Sequence, residues 1–240
     1  MHPVVCRASG EAHALARPRA PAVDCGVLAS RPHRLAVLAS GDGSNFEALT
    51  LASQRGELGG RVVLLLCDVP GAHVLGRASR LGVAAVCPPA GPLRTRLADE
   101  TPWLEVLRAH EVDTVLLAGF MRRLHETLLG GFPERILNLH PSLLPAFPGL
   151  DAIRQAFEHG VCWTGCTVHL VDRGLDAGPI VAQRAVQILD GDTLESLTHR
   201  IHEAEHRLYP EAVRRFLTEP WRREGRRIVF TGRRPQATHG

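Results

Sequence analysis

The chain is 240 residues long, 45% hydrophobic and 22% charged, with a formal net charge of +3. That length suits one full-sized domain with appendages, and the composition is that of a soluble globular protein; so small a charge gives no argument for a nucleic-acid partner. Apart from histidine, the basic side chains are all arginine, which excludes a lysine Schiff base and the phosphate lysine of a Walker loop.

Residues 1–32 are rich in Ala, Arg and Pro and lack the compact apolar segment of a secretion signal. They read as an N-terminal extension, expected to be disordered and to take no part in the chemistry. Order is expected from about Arg34. The apolar run 35–39 is too short for a helix and ends in glycine-rich turn residues, so it reads as a buried strand. Good helix formers follow over 46–52. Residues 61–67 (RVVLLLC) form a second strand of the continuous apolar kind found where both sheet faces are covered. The pattern then predicts a helix over 72–81, a strand over 83–87, a longer helix from 93 to 110, and strands over 113–118 and 135–138. Residues 164–172 and 180–188 alternate like ordinary strands, and 194–217 reads as a long amphipathic helix. The basic, turn-rich remainder, 218–240, is expected to be a tail or a short hairpin.

Strands alternating with helices at this spacing mean an α/β fold, a mostly parallel sheet with helices on both faces. In such sheets ligands sit beyond the carboxyl ends of the strands. The six cysteines (Cys6, Cys25, Cys67, Cys87, Cys162 and Cys166) are scattered and suit reduced thiols in a cytoplasmic protein. Cys162 and Cys166 have a spacing that could hold a metal, but no second Cys/His pair matches it, and no metal is expected. No apolar run approaches the length of a membrane span.

Two segments carry chemistry. The turn Ser40-Gly41-Asp42-Gly43-Ser44-Asn45 joins a buried strand to a helix, an arrangement that presents free N–H groups to a phosphate. It equally suits a plain strand-to-helix turn capped by Ser44 or Asn45. It is neither a Walker loop nor a full dinucleotide fingerprint, so a monophosphate on a small substrate fits it better than a nucleotide. Further on, Asn138 and His140 lie two residues apart at a strand's end and share a face if the extended geometry persists. An amide there can stabilise an oxyanion and an imidazole can shuttle a proton. An Asn satisfying a turn and a His with a backbone partner is the competing reading. Asp176 lies in a tight turn before an apolar strand, and spacing alone does not bring it to His140.

Taken together, GDGSN after the first strand, AGFMRRL after the fourth, NLHPSLLPAFPG, TGCTVHLVDRGLDAGPI and the late EAEHRLYP stand in the order found in glycinamide ribonucleotide formyltransferases. The resemblance covers about residues 34–217, and makes 33–217 a catalytic domain of Rossmann-like formyltransferase fold. It implies transfer of a formyl group from 10-formyltetrahydrofolate to the amine of glycinamide ribonucleotide, a step of purine biosynthesis, without a metal. By the family pattern Asn138, His140 and Asp176 are catalytic: the first two stabilise the oxyanion, and Asp176 holds His140 and raises its basicity. Gly43, Ser44 and Asn45 match the phosphate-binding triplet, and Glu205 a residue on the ribonucleotide side, although a solvated helix face is its plainer reading. Met121, Arg122, Arg123 and Leu124 match the folate-binding segment, with Asn138 also facing the donor. Arg96 aligns with a residue that meets the folate's carboxylate tail, and Arg94 is a close rival. His169 is expected to be structural, supporting the strand near Asp176. Arg173 stands where an acidic residue is common.

The resemblance implies small-molecule partners only, with no nucleic acid or membrane, for a cytoplasmic monomer or homodimer. Methionyl-tRNA formyltransferases add a C-terminal barrel, for which the residues after Leu217 are too few. Formyltetrahydrofolate deformylase, a hydrolase, usually carries an N-terminal regulatory domain and has no need of a phosphate loop. A non-catalytic folate-binding module would be attractive only if Asn138, His140 or Asp176 were missing.

Overall fold

The computed structural model describes residues 31–232. Cys6, Cys25, nearly all of the expected N-terminal extension and residues 233–240 lie outside them. Strand β1 (His33–Ala39) leads into helix α1 (Ser44–Gln54), followed by β2 (Gly60–Cys67), α2 (His73–Leu81), β3 (Ala84–Val86), α3 (Thr101–Ala109) and β4 (Thr114–Leu117). Then come α4 (Glu126–Gly131), β5 (Ile136–His140), α5 (Ala152–Glu158), β6 (Trp163–Leu170), β7 (Ile180–Gln187), α6 (Leu194–Thr218), β8 (Trp221–Glu224) and β9 (Arg227–Phe230).

These strands form one sheet in the order β3-β2-β1-β4-β5-β6-β7-β9-β8. From β3 to β5 all neighbours are parallel. The direction reverses at β6, which is antiparallel to both β5 and β7. The continuous apolar runs reflect burial on both faces. Leu35, Val37 and Ala39 of β1 pack with Phe46, Leu49, Tyr209 and Phe216 of α1 and α6, whereas Ala36 and Leu38 pack with Trp103, Leu107 and Leu128 of α3 and α4. The expected α/β class, with helices on both faces, is what the chain adopts.

One expected element is corrected. The helix predicted over 93–110 forms only from Thr101. Pro102 at its first turn has no N–H for a preceding carbonyl, and its ring clashes with a helical turn before it, so a helix can start there but cannot run through. Residues 93–100 run irregularly instead, and Arg96 forms a parallel bridge with Arg123. Helices α4 and α5 were not expected; α5 lies within the segment 145–165, for which the sequence predicts no conformation. Within 218–232 the short-hairpin alternative is the one observed, as β8 and β9 pair antiparallel.

Candidate active site

Successive crossovers from β1 and from β4 run in opposite directions along the sheet, so a crevice opens beyond the carboxyl ends of these two strands. Its floor is tied together by the Ser40 N–H donating to the Gly119 carbonyl at 3.1 Å and the Met121 N–H to Ser40 Oγ at 2.9 Å. The glycine-rich turn 40–45, the AGFMRRL segment and the end of β5 all border this crevice, as the position rule predicts.

Asn138 and His140 share one face of β5, and the antiparallel register sets them opposite His169 and Thr167 of β6. The Asn138 Nδ2 donates to His169 Nε2 at 3.1 Å. His169 Nδ1 lies 2.9 Å from the Leu170 carbonyl, which can only accept, so the ring carries its proton on Nδ1 and keeps Nε2 as an acceptor. Burial depresses the His169 pKa, partly opposed by that carbonyl and by Asp176, which agrees with a neutral ring. His140 is 4% exposed. Its Nε2 donates to the Phe147 carbonyl at 2.8 Å, and its Nδ1 faces Asp176 Oδ2 at 3.5 Å.

Asp176 is brought to this pair by a turn in which it adopts positive φ (47°). The Gly149 N–H donates to Asp176 Oδ2 at 2.8 Å, and His169 Nε2 stands 3.7 Å from Oδ1. The structure therefore joins Asn138, His140 and Asp176 into one cluster, half-buried at Asn138 and Asp176 and buried at His140, and adds the buried His169 at its centre. His169 is expected to be structural, and in the fold its partner is the amide of Asn138.

On the acceptor side, Gly43 caps α1 in the left-handed region (φ 83°). A Cβ there would lie 2.4 Å from Val74 Cγ2, so the turn requires glycine both for its backbone angle and for space. The Asn45 side-chain N–H donates to Glu205 Oε2 at 2.8 Å, so the amide expected to reach a phosphate is spent on Glu205. Glu205 is 4% exposed and belongs to the buried stripe of α6 with Ile201, Leu208 and Tyr209, not to a solvated face. Burial pushes its pKa up to about 7, against the pull of Asn45. Tyr209, one turn on, donates its hydroxyl to the carbonyls of Leu117 and Leu137 (3.0 and 3.2 Å), which fixes α6 over β4 and β5.

On the opposite side, Met121 is exposed and Leu124 buried. The Arg123 N–H donates to the Thr95 carbonyl at 2.9 Å, while the side chains of Arg94, Arg96 and Arg123 are exposed. Nothing in the structure separates Arg94 from Arg96. The Arg122 side chain turns inward: it pairs with Asp68 at 2.6 Å and also donates to the carbonyls of Leu93 and Arg96. Buried Glu100 accepts from the N–H groups of His125 and Leu128 at 2.6 and 2.9 Å, which satisfies the start of α4. Neither Asp68 nor Glu100 is among the residues expected in the site. Asp68 directly follows a parallel strand, a position that signals the ligand side of such sheets; Glu100 carries no comparable signal.

Cys162 is exposed and Cys166 buried, and burial pushes the Cys166 thiol up to about 12. Among the described residues no group of three or more His, Cys, Asp or Glu could hold a metal ion, and no helix is long and apolar enough to cross a membrane.

Comparison with known proteins agrees with this architecture. The formyl transferase family profile matches residues 33–213. A phosphoribosylglycinamide formyltransferase of Bacillus subtilis (strain 168) is 45% identical over 184 residues, 77% of this chain and 94% of that protein. The crystal structure of glycinamide ribonucleotide transformylase 1 from Symbiobacterium toebii superposes with a TM-score of 0.79 at 48% identity, covering 82% of this chain and 93% of that one. Its counterpart from Geobacillus kaustophilus gives 0.74 at 49%, covering 78% and 100%. The chain belongs to the formyl transferase family.

Proposed function

We propose that this chain transfers a formyl group from 10-formyltetrahydrofolate to the amine of glycinamide ribonucleotide in purine biosynthesis, with Asn138, His140 and Asp176 as the catalytic set. The observation that carries the assignment of roles is their convergence at the end of β5, in the crevice between the acceptor-side turn and the AGFMRRL segment. The relatives named above support transfer to a phosphorylated acceptor over hydrolysis of the donor.

In this reading the acceptor amine attacks the formyl carbon, a C–N bond forms and the carbonyl oxygen becomes an oxyanion. The second N–H of the Asn138 amide and the Nε2–H of His140 donate to it, a substrate oxygen taking the place of the Phe147 carbonyl. Collapse of the adduct restores the carbonyl and breaks the bond to the donor nitrogen. The proton lost by the amine passes to that nitrogen, and His140 is the group placed to relay it. Asp176, facing Nδ1, holds the ring in its doubly protonated form, so that His140 gives the Nε2 proton to the donor nitrogen and takes its replacement from the amine. The backbone N–H groups of Gly43, Ser44 and Asn45, with the Ser44 hydroxyl, hold the phosphate, and Glu205 faces the sugar. Met121, Arg122, Arg123 and Leu124 line the donor's pterin site, and Arg96 meets its carboxylate tail. With its side chain committed to Asp68, Arg122 contributes there through its backbone.

The test is an assay that separates formyl transfer from hydrolysis of the donor in water. Transfer that depends on glycinamide ribonucleotide, with little hydrolysis in its absence, is expected. His140→Ala and Asp176→Asn should each lower kcat by about 10²–10⁴ while the fold is retained. Near-wild-type transfer in either variant refutes the assigned roles, and acceptor-independent hydrolysis at the transfer rate would make the enzyme a deformylase.

A further inference from the structure

The acceptor-side turn carries a charge that works against it. Asp42 lies between Gly41 and Gly43, and Glu47 is in the first turn of α1, so two carboxylates flank the N–H groups that would hold a phosphate. Unopposed, they would repel a dianion.

Both are met by one side chain from behind. Arg77 of α2 donates through Nη2 to the two carboxylate oxygens of Asp42 at 3.0 and 2.8 Å, and through Nε to the Asp42 carbonyl at 2.8 Å. Its Nη1 donates to Glu47 Oε2. The Arg77 side chain is 23% exposed against 58% for Asp42, so the guanidinium forms the inner layer and the carboxylate the outer. The arginine, with a smaller contribution from the Ser44 N–H, holds Asp42 below the usual carboxylate range. Asp42 thus lies against the same helix start that a phosphate would use. The remaining contacts also come from α2: the Val74 N–H donates to the Gly41 carbonyl at 3.1 Å, and His73 Nδ1 stands 3.8 Å from Asp42. From α6, Glu205 through Asn45 and the side chains of His202 and His206, whose pKa values burial lowers, are the titratable groups facing the turn.

We propose that Arg77 is a positioning residue for the acceptor's phosphate: it neutralises Asp42, so that the turn can receive a dianion. Its donors are committed to the turn and to α1, so it acts through them and does not grip the phosphate itself. The inference rests on the reading of residues 43–45 as the phosphate site.

The experiment is steady-state kinetics on Arg77→Gln, on Arg77→Gln/Asp42→Asn and, beside them, on Ser44→Ala/Asn45→Ala. Arg77→Gln should raise KM for glycinamide ribonucleotide on the order of 10- to 100-fold, with kcat and the donor KM within about two-fold. Adding Asp42→Asn should recover part of that loss, because only the Glu47 carboxylate then stays unopposed. An unchanged acceptor KM in Arg77→Gln, beside a raised one in Ser44→Ala/Asn45→Ala, overturns the inference and leaves the phosphate site standing. If neither variant moves it, the phosphate reading falls and takes the inference with it. A general loss of kcat and of both KM values, or a double variant that recovers nothing, would make Arg77 a merely structural support and overturn the proposal. Should Arg77→Gln fail to fold, Asp42→Asn alone decides: its acceptor KM should stay equal or fall, and a rise refutes the idea.

Discussion

Asn138 and His169 stand directly opposite one another on β5 and β6, and the amide nitrogen of the first donates to Nε2 of the second. An asparagine amide can rotate by half a turn and exchange donor for acceptor. His169, with its own proton held on the Leu170 carbonyl, accepts from the NH₂ side only. It therefore keeps an N–H, and not the carbonyl oxygen, available to a developing oxyanion. Asn138→Ala should lower kcat by about 10²–10³, the usual loss for one oxyanion donor. His169→Phe should lower it by about 10-fold or more, and the double variant should be little worse than Asn138→Ala alone. A double-mutant cycle in kcat checks this, and strict additivity would disprove the coupling.

Glu205 gives the protein a pH-dependent stability. Burial raises its pKa from 4.5 to about 7, so the folded state holds this proton more tightly than the unfolded chain. The stability it contributes is fully present below the unfolded value and is lost as pH rises through the folded one, a window from about 4.5 to about 7. Glu205→Gln removes the titrating group and keeps the acceptor for Asn45. Melting temperatures measured from pH 5 to pH 8 should show the variant gaining on the wild type as pH rises, then levelling off above about 7. Parallel curves would exclude Glu205 as the source.

The ion pair of Arg122 and Asp68 is almost fully buried. Removing one partner from such a pair costs about 3–5 kcal/mol, because the other charge is left unpaired. Arg122→Met should therefore destabilise the protein by about that amount, and Asp68→Asn placed in the same chain should return part of it. Denaturant unfolding of the single and double variants measures both terms. The variant should also raise KM for the formyl donor, since Arg122 fastens the carbonyls of Leu93 and Arg96 against the AGFMRRL segment.

Much of the fold is legible because its strands are short apolar runs bounded by turn residues; 35–39 and 61–67 could hardly be anything else. The helix start near Thr101 differs from the expected 93 because Pro102 suits a first turn and not a helix interior. In the site, the shared face of Asn138 and His140 follows from the two-residue period of a strand. Their meeting with Asp176 does not. It depends on the reversal of β6 and on a non-glycine residue in a left-handed conformation, and neither leaves a mark in residue spacing. The work of Arg77 and Asp68 is invisible for a related reason: each acts across chain segments that only the folded sheet brings together.

Strand β5 has four strands on each side of it. Its amides are released only by an opening large enough to separate the two halves of the sheet, whereas the turns that meet the substrates sit at the surface and can breathe on their own. Hydrogen exchange should therefore be slow at Leu137 and Leu139 and much faster around Gly43 and Met121. In the proposed reading, the chemistry is mounted on the part of the molecule expected to yield last, and the substrates are received by parts expected to yield early.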